Sequence, residues 1–540
     1  MSLQVEKASA ARKSSLLGDL GLNFANGRVR MRAMGEPLFN WLKHRSAGLL
    51  CHVTSLPTDT GIGNIGVPAR RLIDFIAAAK LKQWQICPLG PTGFGDSPYQ
   101  AFSAFAGNPY LIDMHALVGL RLLDAQDLKP LQALARQRVD YGRLYQVFWP
   151  ILEKAARKFL EKPQTRVAAM SFEEFRERES FWLEPYCWFQ AFKSHFKGKP
   201  WFEWPKAQRF YGDAREGKLP KGFDKDEVER QAAYQYFFFA QWDELRRYAA
   251  GKGVEIMGDA PIFVARDSAD VWAHPEYFQL DKDGQPLAVA GVPPDYFSKK
   301  GQLWGNPLYD WERLKQDGYA WWIERFKALF RLYDQVRIDH FRGFEDYWSV
   351  PADAQDARAG EWRQGPGKVL FEKLHAEMPE AKITAEDLGI VTDAVRALRD
   401  ESGLPGMAVL QFAFVNDAQN PYLPHNMVPN QVVYTGTHDN DTSIGWYMHA
   451  PEYERHNYRC YLGTGGDSPN WDLIRTAYRS VARLCVVPLQ DLMNLGREAR
   501  LNTPGEAQGN WQWRFTAEQL DQLWRENAGY LAELARIYGR

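Results

Sequence analysis

Apolar and polar positions along this chain fall into two kinds of short run that alternate. One kind suits strands, being short and rich in β-branched and aromatic residues: Leu49 to Val53, Trp84 to Leu89, Val254 to Asp259, Gln335 to Asp339, Lys382 to Ala385, Met407 to Phe414, Gln431 to Tyr434 and Cys485 to Val487. The other kind has the period of a helix. Between Arg70 and Leu81, Leu72, Ile73, Phe75 and Ile76 fall mostly on one face, and Tyr319 to Leu332 and Trp471 to Leu484 read the same way. Between the fifth and sixth strands a helix begins at Thr392 as N-cap and stops at Gly403, and the last helix opens with a capping box from Thr516 to Gln519. Eight strands with helical crossovers predict a parallel sheet and, at that number, an α/β fold closed as a (β/α)8 TIM barrel. The alternative, an open doubly wound sheet, should carry a phosphate-binding loop after a strand. The nearest candidate, Gly90 to Gly95, contains Pro91 and leads into no clear helix.

The rhythm breaks between about Met114 and Gly251. Amphipathic helices such as Leu144 to Leu160, with a kink or break at Pro150, and Val228 to Ala250 follow one another without strands. This reads as a large helical insertion between strands 2 and 3. Long loops at Gly90 to Pro109 and Ala265 to Pro307 are further insertions at the C-terminal rim. The expected organisation is an irregular basic segment at 1–38, a catalytic barrel at 39–113 and 251–515, a helical insertion at 114–250, and a C-terminal helix at 516–540 packed on the barrel. A length of 540 residues suits one barrel with insertions.

A net charge of -1 offers no case for nucleic acid or an anionic membrane as partner, and no apolar run approaches a membrane span. Five scattered cysteines, odd in number and without a CxxC pair, argue for a reducing compartment and against a zinc site. That points to the cytoplasm, or to a plastid if the basic N-terminus is a transit peptide rather than an idle arm. Aromatic residues reach 14%, with 20 Trp and 24 Tyr. Some of that is core, as at Tyr234 to Trp242 and Phe181 to Phe192, where the spacing is helical; surplus Trp and Tyr also stack on the apolar faces of sugar rings.

A barrel places its chemistry at the C-terminal ends of its strands. Strand three ends in Asp259, strand four in Asp339 and strand five in Glu386-Asp387, while strand seven runs on into Thr437-His438-Asp439-Asn440-Asp441. Like charges crowded on one rim destabilise a fold, so a functional reason is needed. Two chemistries use such a ring, metal binding and glycoside transfer. Arg337 among the acids argues against a metal. Glycoside transfer requires one ionised and one protonated carboxyl. Period two puts Arg337 and Asp339 on one strand face, where the guanidinium keeps Asp339 ionised. Glu386 follows an apolar strand that raises its pKa. Asp439 is a third acid, able to accept hydrogen bonds from sugar hydroxyls and to stabilise positive charge.

Several stretches then carry a resemblance: Leu56 to Gly66, Gly95-Asp96-Ser97-Pro98-Tyr99-Gln100, Gly258-Asp259-Ala260-Pro261, Gly291 to Pro307, Arg337-Ile338-Asp339-His340, Ala385-Glu386-Asp387-Leu388-Gly389 and Tyr434 to Asp441. In this order they resemble the amylomaltases or disproportionating enzymes, 4-α-glucanotransferases of glycoside hydrolase family 77 and relatives of the α-amylases. The resemblance runs from about Gly48 to Gly505. It implies Asp339 as nucleophile, Glu386 as general acid/base and Asp439 as transition-state stabiliser. It implies substrate contacts from Ser97, Tyr99, Asp259, Arg337, His340, Asp387 and His438. Tyr296, Phe297 and Trp304 match a loop shaping the acceptor side, and Asn502 falls in a second loop flanking the cleft. The implied partners are maltooligosaccharides, starch or glycogen chains, with glucose as acceptor; no cofactor and no metal are implied, and the expected state is a monomer or weak homo-oligomer. The retaining mechanism implies carboxyls of Asp339 and Glu386 about 5–5.5 Å apart. From the residues alone, His340 could be a packing residue, Asp387 a helix cap and Asp259 a structural acid. An α-glucan hydrolase of the α-amylase type, or a non-catalytic glucan-binding protein, are the alternatives to transfer.

Overall fold

The computed structural model describes residues 22–25, 28–31, 37–163, 167, 169–294, 298–415, 417–506 and 508–540. Tyr296 and Phe297 lie outside the described residues. Eight parallel strands form one sheet: β1 (Ser46–Leu50), β2 (Gln83–Gln85), β3 (Glu255–Pro261), β4 (Gln335–Asp339), β5 (Ile383–Ala385), β6 (Gly406–Val409), β7 (Gln431–Tyr434) and β8 (Leu484–Pro488). They pair in the order β5-β4-β3-β2-β1-β8-β7-β6. The seam between β5 and β6 is bridged by the Ala385 N–H, which donates to the Pro405 carbonyl at 2.9 Å. The sheet therefore curls round nearly into a closed barrel, as eight strands with helical crossovers predict.

Element boundaries shift where apolar runs overstate strands. The run expected at Leu49 to Val53 is strand only to Leu50 and then turns through Val53–Ser55, with Val53 fully buried. The run Met407 to Phe414 is strand only to Val409, and a helical turn at Leu410–Phe412 follows. Burial, not extension, made both runs apolar, and periodicity cannot separate the two in short segments. The N-cap at Thr392, the left-handed stop at Gly403 (φ 76°) and the Thr516–Gln519 capping box are all present.

Between β2 and β3 the insertion is helical. Its longest helix, Asp226–Gly251, carries a run of Ala, Tyr and Phe from 232 to 240 that is interrupted by Gln235. Such a helix must be enclosed, and Tyr234, Phe237, Phe238 and Trp242 are buried. Most of Phe181 to Phe192 is buried too, although Phe181 itself is exposed. Gln235 docks this helix onto the Gly90–Pro109 loop. Its amide donates to the Gly107 carbonyl at 2.9 Å and accepts from the Gly107 N–H at 2.8 Å. A Cβ at Gly107 would stand 2.0 Å from the Phe238 ring, so only glycine allows this approach.

The Ala265 to Pro307 loop is more ordered than expected. Ala288–Val292 and Gln302–Pro307 pair antiparallel, and Asp346–Pro351 and Glu361–Gln364 extend them into a four-stranded sheet over the rim. Within the stretch expected to be irregular, Leu22–Ala25 pairs antiparallel with Arg28–Met31. The C-terminal helix Ala517–Tyr538 packs on the helix Val67–Ala78 that follows β1, with Trp524 edge-on to Phe75. No helix among the described residues is long and apolar enough to cross a membrane.

Candidate active site

In β4 the pleat alternates Val336 and Ile338, which are fully buried, with Arg337 and Asp339, which face the barrel mouth. Parallel pairing puts Asp259 of β3 opposite Arg337. One guanidinium nitrogen of Arg337 donates to Asp259 Oδ2 at 2.6 Å and to Asp339 Oδ1 at 3.0 Å. The same Asp259 oxygen accepts the Tyr99 hydroxyl at 2.7 Å, and its other oxygen accepts the Ala260 N–H at 3.0 Å. Asp259 is thus buried with its acceptors engaged. It orients Arg337 and Tyr99 at the mouth.

Pairing of Ala385 with Ile338 sets Glu386 level with Asp339. Glu386 Oε2 accepts the His340 N–H at 2.7 Å, and Oε1 accepts the Leu388 N–H at 3.1 Å. His340 is left-handed (φ 53°, ψ 50°), a conformation that costs a non-glycine residue about 1–2 kcal/mol. That turn aims its N–H at Glu386 and carries its ring to 4.8 Å from Trp304, edge to face. Burial, with Arg342 nearby, lowers the His340 pKa to about 4, so its ring is neutral.

Burial pushes the Asp339 carboxyl up to about 6; Arg337 opposes this, and Asp259 and Asp439 add to it. Burial pushes Glu386 further, to about 7, against Arg337 and with help from Asp339. The expected hold of Arg337 on Asp339 is therefore partial, because the guanidinium makes its closer contact with Asp259. Both carboxyls are thus held above the ordinary carboxylate range, so the pair keeps a proton close to neutrality, as glycoside chemistry needs.

Asp439 behaves differently. Burial raises its pKa, but His438 and a hydrogen bond from Asn502 outweigh that and bring it to about 2. The His438 ring nitrogen lies 3.3 Å from Asp439 Oδ2, and the Asn502 amide donates to Oδ1 at 2.6 Å. Arg500 donates to the Asp439 carbonyl at 2.6 Å. Burial works against charge on His438, yet Asp439 leaves its pKa raised. Tyr99 stacks on His438 with ring centres 5.1 Å apart. Among the described residues no cluster of His, Cys, Asp and Glu could hold a metal ion.

The structure also places three other expected site residues. Ser97 Oγ accepts the Tyr99 N–H at 3.2 Å, so it shapes the turn that presents Tyr99. Trp304 stands on Gln302–Pro307 beside His340, at the rim where the acceptor loop was expected. Asp387 turns away from the mouth. Its carboxylate accepts the Met407 N–H at 2.7 Å and pairs with Arg399, which clamps the β5–β6 seam. Neighbours on an extended backbone point to opposite sides, and Glu386 already takes the side facing the mouth. Sequence reasoning missed Arg500 and Trp511, whose ring lies 5.8 Å from Tyr99 and 5.9 Å from His438. The aromatic stretch Trp511-Gln512-Trp513, a few residues after Asn502, was the available signal.

A family described as 4-α-glucanotransferase matches residues 51–520. The 4-α-glucanotransferase of Thermus thermophilus is 49% identical over 489 residues, covering 88% of this chain and 96% of its own. That of Synechocystis sp. is 45% identical over 511 residues, covering 92% and 99%. The solved structure of the Streptococcus agalactiae amylomaltase in complex with acarbose superposes with a TM-score of 0.87 at 38% identity, covering 92% of this chain and 99% of that one. The matched residues span the barrel and its rim of strand-end carboxyls: the chain belongs to glycoside hydrolase family 77, the 4-α-glucanotransferases.

Proposed function

We propose that this 4-α-glucanotransferase works by double displacement on Asp339, with Glu386 as acid and then base and Asp439 as the stabiliser of the oxocarbenium-like transition state. In the first step the Glu386 proton passes to the glycosidic oxygen, the bond from that oxygen to C1 breaks, and an Asp339 oxygen bonds to C1. In the second, the 4-hydroxyl of an acceptor glucan gives its proton to Glu386 while its oxygen displaces Asp339. Two inversions give net retention. Asp439, held ionised, keeps a negative charge facing the sugar throughout. Arg337, His438 and Tyr99 line the donor sugar, and His340 with Trp304 flanks the acceptor side.

Transfer outruns hydrolysis only when the acceptor is held and water is kept out. The segment 295–305, with Tyr296, Phe297 and Trp304, is suited to both. Donors are maltooligosaccharides and starch or glycogen chains, and glucose or another glucan accepts, in a monomer or weak homo-oligomer. Support for a reducing compartment, the cytoplasm or a plastid, comes from five cysteines none of which forms a disulfide.

The observation that carries this reading is the meeting of three carboxyls on one rim: Asp339 on the guanidinium of Arg337, Glu386 on the backbone N–H groups of His340 and Leu388, and Asp439 on the amide of Asn502. The test is maltotriose as sole substrate, with products separated by length. A ladder of longer glucans together with glucose, lost in Asp339→Asn, is the expected result. Glucose and maltose without a ladder would refute the account of the acceptor side.

A further inference from the structure

Trp511 stands at a junction that the reaction as described does not use. It is almost fully buried, yet its backbone is left-handed (φ 62°). For a bulky side chain this is an outlier, costing about 1–3 kcal/mol and kept only where surrounding contacts over-determine it. Three sets of contacts do so. The indole lies behind the Tyr99–His438 stack, tilted toward both rings, and packs with Cys87 and Leu501. The backbone N–H of Trp511 donates to the Leu501 carbonyl at 2.8 Å, and the next residue, Asn502, holds Asp439. Its carbonyl accepts the hydroxyl of Tyr141 at 2.9 Å.

Tyr141 opens the first long helix of the insertion. The segment before it runs beside the one after Trp511. The Val139 N–H donates to the Gln512 carbonyl at 2.8 Å, the Arg514 N–H donates to Gln137 at 3.2 Å, and Arg138 and Trp513 form an antiparallel bridge.

We propose that Trp511 is a positioning residue of the donor side: it fixes the Tyr99–His438 stack through its ring and the Asn502–Asp439 contact through its main chain, and the helical insertion anchors it through Tyr141. The insertion is then part of how the transition-state carboxylate is held. The proposal rests on the reading of Asp439 given above, and Asp439→Asn serves as its separate control.

Trp511→Ala, Trp511→Phe and Tyr141→Phe are compared in the full chain for maltotriose disproportionation at 25 °C, with kcat and KM expressed per folded molecule and Tm recorded alongside. A displaced catalytic group typically costs on the order of 10- to 100-fold in rate. Trp511→Ala is expected to lose about that much kcat with KM moved far less. Trp511→Phe, which restores a ring, is expected to recover most of it, and Tyr141→Phe to lose a few-fold. If kcat per folded molecule stays unchanged in Tyr141→Phe while only Tm falls, the insertion does not position Trp511 and the proposal is overturned. The same holds if Trp511→Ala folds and turns over normally. An unimpaired Asp439→Asn would instead overturn the reading beneath it.

Discussion

Replacing Arg337 by methionine removes the cation that Asp259 and Asp339 share and keeps much of the side chain's volume. A neighbouring arginine lowers an aspartate pKa by about 1–3 units. Without it, Asp339 would move from about 6 to about 7–9. At pH 7 the ionised fraction of the nucleophile then falls from about nine-tenths to between about one-half and about one-hundredth. Glu386 rises with it, because Arg337 also holds that carboxyl down, so both groups keep their protons to higher pH. Protonation alone therefore costs about 2- to 100-fold in kcat/KM at neutral pH. The loss of contact with the donor sugar adds to it. Breaking the buried pair with Asp259 takes about 3–5 kcal/mol from the fold, so Arg337→Lys, which keeps the charge, supplies a milder companion. The assay is the pH profile of kcat/KM for maltotriose disproportionation from pH 4.5 to 9.5. The sign is fixed: activity requires ionised Asp339, so the acidic limb must move upward, furthest in Arg337→Met. A folded Arg337→Met whose acidic limb stays near pH 6 would refute the electrostatic argument.

Other substitutions separate the remaining roles. Asp387→Asn uncouples Arg399 at the β5–β6 seam and should lower stability by about 3–5 kcal/mol, read by denaturant unfolding, while kcat per folded molecule holds; a selective fall in kcat would return Asp387 to the substrate site. Asp439→Asn should cost about 100- to 1,000-fold in kcat, and the His438 pKa, followed by NMR, should fall once the carboxylate that raises it is gone. Tyr296→Ala with Phe297→Ala should shift maltotriose products from the ladder toward glucose and maltose; an unchanged transfer-to-hydrolysis ratio would free that segment of its assigned task.

The barrel and its acidic rim were legible because both have local signatures. Period-two strands between period-3.6 helices specify a parallel sheet, and an ionisable residue where a strand ends is visible without knowing its neighbours in space. Asp339, Glu386 and Asp439 came out this way, and the structure brings them together. What failed to show depends on distant pairing or on orientation. The rim sheet joins Ala288–Val292 to Asp346–Pro351, two segments with a whole barrel strand between them in the chain, so neither announces its partner. Asp387 shares its sequence neighbourhood with Glu386 but points to the seam. Asp259 reads like any strand-end acid, and only the packing of Arg337 and Tyr99 on it shows that its oxygens are taken. The left-handed turns at His340 and Trp511 are imposed by tertiary contacts against local preference, and no run of residue types encodes them.

The central claim is that Asp339 carries the glucan between donor and acceptor. The most direct test gives Glu386→Gln an α-maltosyl fluoride, whose leaving group needs no acid, so that the first displacement proceeds while the second, lacking its base, stalls. Mass spectrometry of the digested protein should find a maltosyl adduct on the peptide that contains Asp339, absent when Asp339→Asn is added. An adduct on Asp439, or turnover through Glu386→Gln/Asp339→Asn with no adduct, would contradict the account.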